Sequence, residues 1–242
     1  MRLYLSSYRM GDRAGALLAL LGSGKRAAIV ANALDNISPS ARKIYREEVY
    51  DPRAELGSLG IAAEELDLRQ YFGREPALAD TLSNFDLVWV LGGNAFVLRR
   101  AMRQSGFDTV IGGMLDRDAI VYGGFSAGAV VAGPSLRGFE IMDDPLEFPA
   151  GYAPTPVWEG LGLVDFSIVP HHRSAHPEAP AAEKMARHLA QRRIEHRAQP
   201  PAQVALRQAV EERDRARHEH RARRAECHKP RHRPSRSMDC VF

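Results

Sequence analysis

Two apolar runs in the middle of the chain, "FDLVWVLGG" at 85–93 and "DAIVYGG" at 118–124, each end at paired glycines and pass straight into helix-forming sequence. Short runs that are apolar on both faces read as strands buried on both sides, which is what a parallel sheet covered by helices requires. Weaker strand signals lie at "RLYLSS" (2–7), "KRAAIVANAL" (25–34), "AAEELDL" (62–68) and "LVDFSIVP" (163–170). Helix-length stretches separate them. A short helix is expected over 13–22, and a long polar one within 37–60 with Ser38 or Ser40 as cap. Others follow at 94–106, from 127 onward and over 178–193. This alternation predicts an α/β fold with a mostly parallel sheet.

Charge divides the chain unevenly. Residues 192–242 hold 14 Lys and Arg against 7 Asp and Glu, whereas 1–191 hold 19 against 23. Residues 1–198 therefore read as one domain of mildly acidic character, and 199–242 as a basic Arg/His-rich tail, disordered or partly helical. Both cysteines, Cys227 and Cys240, fall in that tail, which excludes a disulfide framework and a thiol nucleophile from the body. The tail set Cys227, His228, His232 and Cys240 fits no common zinc spacing, so neither metal nor cofactor is expected. A nucleic-acid arm is not expected either, because the tail's one aromatic residue is Phe242. The apolar run "AGALLALLGSG" has about half the ~20 residues of a membrane span and reads as a buried helix. A cytoplasmic location is the expectation.

The chemistry concentrates in "YGGFSAGAVVAG". A serine flanked at two residues' distance by glycines, between a buried strand and an apolar helix, has the form of a nucleophile elbow. Ser126 is the expected nucleophile, with the N–H groups of Ala127 and Gly93 as oxyanion donors. A serine needs a base, and "SIVPHHRSAH" sets His171 at a strand end, where parallel sheets collect functional residues. His172, His176 and His188 are the other histidines of the body. For an orienting acid, "RGFEIMDDPLE" offers Glu140, Asp143 and Asp144, and the spacing leaves the three open.

Three ordered pieces, "VLGGNAFVL", "YGGFSAGAVVAGPSLR" and "SIVPHHR", together resemble the peptidase E family of serine peptidases, with its aspartyl dipeptidases and cyanophycinase relatives. The resemblance covers roughly residues 1–190. It implies a flavodoxin-like three-layer sandwich akin to class I glutamine amidotransferases, with the elbow after a central strand. It further implies Ser126 as nucleophile, His171 as base, and Asp143 or Asp144 as the acid, because the dipeptidase pattern has an Asp shortly before a Pro. A small peptide substrate, with an N-terminal Asp in the dipeptidases, is also implied. A homodimer is an expectation that the residues themselves do not decide. Asn94, Arg137 and Arg173 are the substrate-binding candidates, the arginines for an acidic group. Members continue past the "EKMARHLAQRR" helix with short closing strands, where this chain has its Arg/His-rich run. Two alternatives differ in their demands. An α/β-hydrolase esterase would need a His-Gly-Gly type oxyanion loop upstream, which is missing. A non-catalytic amidotransferase-like binding protein would keep the fold and lose the chemistry.

Overall fold

The structure is a computed structural model that describes the backbone of residues 1–197 and side chains through Gln191; the tail expected at 199–242 lies outside the described residues. Among the described residues five strands form one sheet: β1 (Arg2–Ser6), β2 (Arg26–Val30), β3 (Ala62–Glu65), β4 (Leu87–Val90) and β5 (Val121–Phe125). Their order is β1-β5-β4-β2-β3, and every pairing is parallel. The chain runs from β2 outward to β3 and then returns across β2 to β4. That reversal opens a crevice at the carboxyl ends of β2 and β4, the position at which open α/β sheets bind ligands.

Alternation along the strands divides the core in two. Leu87, Trp89, Ala27, Ile29, Val121 and Phe125 face one side, with Leu17 and Leu21 of α1 (Ala14–Leu21) and Leu56 of α3 (Pro52–Ser58). Val88, Val90, Ala28, Val30 and Tyr122 face the other. That second side is covered by α4 (Glu75–Leu82), α5 (Ala95–Ser105), α6 (Phe107–Asp116), α7 (Ala127–Val130) and the start of α8 (Ala179–Arg197). This is the expected three-layer arrangement. Among the described residues, no helix is long and apolar enough to cross a membrane.

Three expectations change. The polar helix within 37–60 is two helices, α2 (Pro39–Glu48), capped by Ser38, and α3, whose N-cap is Asp51. Pro52 cannot donate to a preceding turn and so starts a helix rather than continuing one. The helix after the elbow, α7, spans only four residues before Gly133 and Pro134 end it. The strand expected over 163–170 does not form. Leu163 and Val164 bond instead to the carbonyl of Ala132, and Phe166 is left 57% exposed, so neither a ladder nor a covered face is available. The sequence reading also passed over α4 and α6, although Phe107, Val110, Ile111, Met114 and Leu115 repeat at helical spacing and are buried.

Glycine makes the central strands fit. A Cβ on Gly123 would lie 2.5 Å from the indole of Trp89, one on Gly124 2.6 Å from the carbonyl oxygen of Gly128, and one on Gly128 2.3 Å from that of Val90. Backbone cannot yield as a flexible side chain can. Gly128→Ala is therefore expected to cost about 1–3 kcal/mol and lower Tm by several degrees. Gly112→Ala, with open space around it on α6, is expected to leave Tm unchanged or raise it. Thermal unfolding followed by circular dichroism checks the pair, and equal effects would remove the packing explanation.

Candidate active site

Ser126 follows β5 directly, with φ 49° and ψ −117°, a conformation few non-glycine residues adopt. Its carbonyl accepts the N–H groups of Ala129 and Val130, so the strained residue also starts α7. Gly92, at the end of β4, has no room for a side chain: a Cβ there would sit 2.9 Å from Cβ of Ser126. Gly93, at φ 136°, presses against the carbonyl of Ala33 after β2. The N–H groups of Gly93 and Ala127 have no protein acceptor among the described residues, and Gly92 and Gly93 line the same cavity as Ser126.

His171 reaches this point from the far end of the chain. It has φ 61°, its N–H donates to Ser7 Oγ at 2.8 Å, and its carbonyl accepts from Ser174 Oγ. Ser7 lies just past β1, so the first strand fixes the histidine. The imidazole is 3% exposed, and its Nε2 lies 3.1 Å from Ser126 Oγ. The neutral ring can therefore accept the serine proton. Burial pushes its pKa below the ordinary histidine value, a neighbouring His176 adds to this, and Glu178 opposes it. His176 stacks on the ring at 3.8 Å, and Tyr8 meets both imidazoles.

The structure does not bring Asp143 or Asp144 to the imidazole. Asp143 Oδ2 accepts the N–H of Ala95 at 2.8 Å, at the start of α5, and Asp144 Oδ1 accepts that of Leu146. Their carboxylates are engaged by a helix terminus and a turn. Glu140 accepts from the N–H of Gly138. The carboxylate beside His171 is Glu178, with Oε2 3.6 Å from Nε2, the nitrogen that also faces the serine. Nδ1 is buried without a partner. Among the described residues, the geometry is a serine–histidine pair with one nearby counter-ion, and no carboxylate bonds Nδ1.

The substrate-binding candidates separate. Asn94 lines the cavity, but its amide is fully used. Oδ1 accepts from the N–H groups of Phe96 and Val97, capping α5, while Nδ2 donates to the Asp144 carbonyl and to Glu147. Arg137 is exposed and lies over the ring of Trp158. Arg173 is exposed, and neither arginine lines the cavity. The cavity encloses about 570 Å³, and its charged lining consists of Asp143, Asp144, Glu147 and Glu178 against Arg42. Arg42 in turn pairs with Asp35 at 2.8 Å.

Sequence reasoning missed what holds the wall of this cavity. Arg100 of α5 is fully buried and donates to the carbonyls of Pro145, Ala153 and Pro154. Arg99, equally buried, makes a bidentate pair with Asp108 and donates to the Glu159 carbonyl. The signal was present in "LRRAM", two adjacent arginines in an otherwise apolar helix face. Ser7, Tyr8, His176 and Glu178 were also missed, since nothing local marks them.

Burial and the nearby carboxylates Glu178 and Glu147 push Asp143 up to about 6, while the Ala95 N–H acts in the opposite direction. A carboxyl whose folded pKa is raised binds its proton more tightly when folded, so stability is lost as pH rises from about 4 to 6. Asp143→Asn keeps the acceptor for Ala95 and removes the charge. Its stability relative to the wild type is expected to improve across that window and level off above pH 7, as measured by urea unfolding at a series of pH values. A difference that does not vary with pH would contradict this.

A family model described as peptidase family S51 matches residues 17–204. The chain is 33% identical over 121 residues to an uncharacterized peptidase of Listeria monocytogenes, covering 49% of this chain and 55% of that one. It is 33% identical over 110 residues to peptidase E of Salmonella arizonae, covering 46% and 44%. The chain thus spans about half the length of these curated relatives. A crystal structure of a putative peptidase E protein from Listeria monocytogenes superposes with a TM-score of 0.59 at 27% identity, covering 77% of this chain and 86% of that one.

Proposed function

The chain belongs to peptidase family S51, and from that premise we propose that it is a serine peptidase of short peptides, with Ser126 as nucleophile and His171 as general base. The observation that carries the reading is the 3.1 Å approach of Ser126 Oγ to Nε2 of a buried, neutral His171. In this reading Oγ attacks the scissile carbonyl as its proton passes to Nε2, and the N–H groups of Gly93 and Ala127 receive the oxyanion. The imidazolium then protonates the leaving amine, and a water attacks the acyl-enzyme with His171 again as base. Glu178 stabilises the imidazolium by charge but does not hold the proton of the neutral ring on Nδ1, since it lies beside Nε2.

The cavity's excess of carboxylates favours a peptide that presents a free ammonium group near the serine. An N-terminal Asp side chain would have Arg42 as its partner in the lining, and Arg42 is already paired. A panel of free and N-acetylated short peptides, with and without an N-terminal Asp, separates these demands.

Ser126→Ala is expected to abolish both hydrolysis and labelling by a fluorophosphonate. Equal labelling of wild type and variant, with no cleavage by either, would sink the proposal. Because His171 must be neutral to act and its pKa is depressed, the acid limb of kcat/KM is expected below the ordinary value of about 6.5. Glu178→Gln is expected to lower kcat by roughly tenfold, against the about 10⁴-fold loss when a tautomer-fixing acid is removed. A loss of the larger size would give Glu178 the full orienting role.

A further inference from the structure

His171 has a second set of neighbours, of which the peptidase reading uses Glu178 as a charge and leaves His176 without a role. His176 and Glu178 join it in a group whose donor atoms all lie within 4.8 Å of one another. Glu178 Oε2 is 3.6 Å from His171 Nε2 and 4.0 Å from His176 Nδ1. We propose that His171, His176 and Glu178 form a binding site for a divalent transition metal of the zinc class, and that an ion there withdraws the histidine from Ser126.

The donor chemistry selects the ion. Two imidazoles and one carboxylate suit Zn²⁺, whereas Mg²⁺ and Ca²⁺ prefer shells made of oxygen. Bonds of about 2.0–2.2 Å bring ligand atoms roughly 3.3 Å apart in a tetrahedral site, so Glu178 Oε2, now 3.6 Å from His171 Nε2 and 4.0 Å from His176 Nδ1, must approach them by about 0.3 and about 0.7 Å. The two members able to move are those nearer solvent. Glu178 is 57% exposed and His176 half-buried, and both lie on the turn leading into α8. The rings stack nearly parallel, at 14°, so His176 has to rotate for its lone pair to converge on the ion.

A second observation points the same way. His171 is buried, and among the described residues its Nδ1 has no hydrogen-bond partner, so nothing fixes which nitrogen carries the proton. An imidazole with no fixed tautomer, its Nε2 3.6 Å from a carboxylate oxygen, can present that nitrogen to an ion. Asp143 and Glu147 line the same cavity and add negative potential that favours a cation. Ser126 Oγ is 3.1 Å from Nε2, the nitrogen whose lone pair an ion would take, so binding there competes with the serine for the same atom. The binding site stands without the peptidase reading, but the loss of serine reactivity on zinc binding rests on it.

The test measures zinc stoichiometry on the full chain, by competition with a chromophoric chelator, for wild type, His176→Phe and Glu178→Gln. His176→Phe keeps a ring to stack on His171 and removes the ligand, while Glu178→Gln guards against a variant that fails to fold. The tail's cysteines and histidines are present in all three proteins, so only the difference between them is read. Wild type is expected to hold one more zinc ion than either variant, or to bind that ion at least tenfold more tightly. Saturating zinc is expected to slow fluorophosphonate labelling of wild type at least tenfold, with recovery in EDTA and no effect of Mg²⁺. Equal stoichiometry and affinity in all three proteins would overturn the site. Undiminished labelling of zinc-loaded wild type would overturn the inhibition. If the probe labels Ser126→Ala as well as wild type, the peptidase reading fails while the stoichiometry still decides the metal site.

Discussion

The approach of Gly128 to the carbonyl of Val90 is the contact on which the rest of the site depends. It lets the turn after β5 nest against the end of β4, because Gly128 carries no side chain where it meets Val90. Once they nest, Ser126 has no room to relax from its positive φ, since Gly92 stands against its Cβ. The strain at the serine is thus a product of close packing between strands and is held by the body of the sheet rather than by the turn alone.

The helix after β4 extends this control outward. Asn94 caps its first turn and ties it to Asp144 and Glu147, while Arg100, one helical turn and more along, gathers the carbonyls of the same loop. An arginine suits this task because its planar fork satisfies several carbonyls at once and keeps its charge when buried. One helix therefore fixes both a glycine turn beside the serine and the acidic wall opposite.

What was legible in the sequence was local. Paired glycines after apolar runs, and a serine spaced between glycines, specify turns by backbone sterics, and those turns lie where expected. His171 was legible because "IVPHH" marks an abrupt stop, although the stop ends an irregular segment and not a strand. The neighbours of His171 were not legible, because they are tertiary. Asp143 and Asp144 look free in sequence, yet the N–H groups of Ala95 and Leu146 claim them. Glu178 looks like the opening of a helix and stands beside the imidazole. Asn94 was readable by the capping rule alone: an Asn between a strand end and an apolar helix is a cap before it is a ligand.

The attachment of His171 to Ser7 gives the two halves of the proposed catalytic pair different mechanical supports. The serine is built into the centre of the sheet, between β5 and β4. The histidine hangs from β1, which among the described residues pairs with β5 alone and forms the sheet's edge. Edges open by local unfolding at a lower free energy than centres. The distance between nucleophile and base is therefore a gauge of edge order, and it can lengthen while the core is still intact.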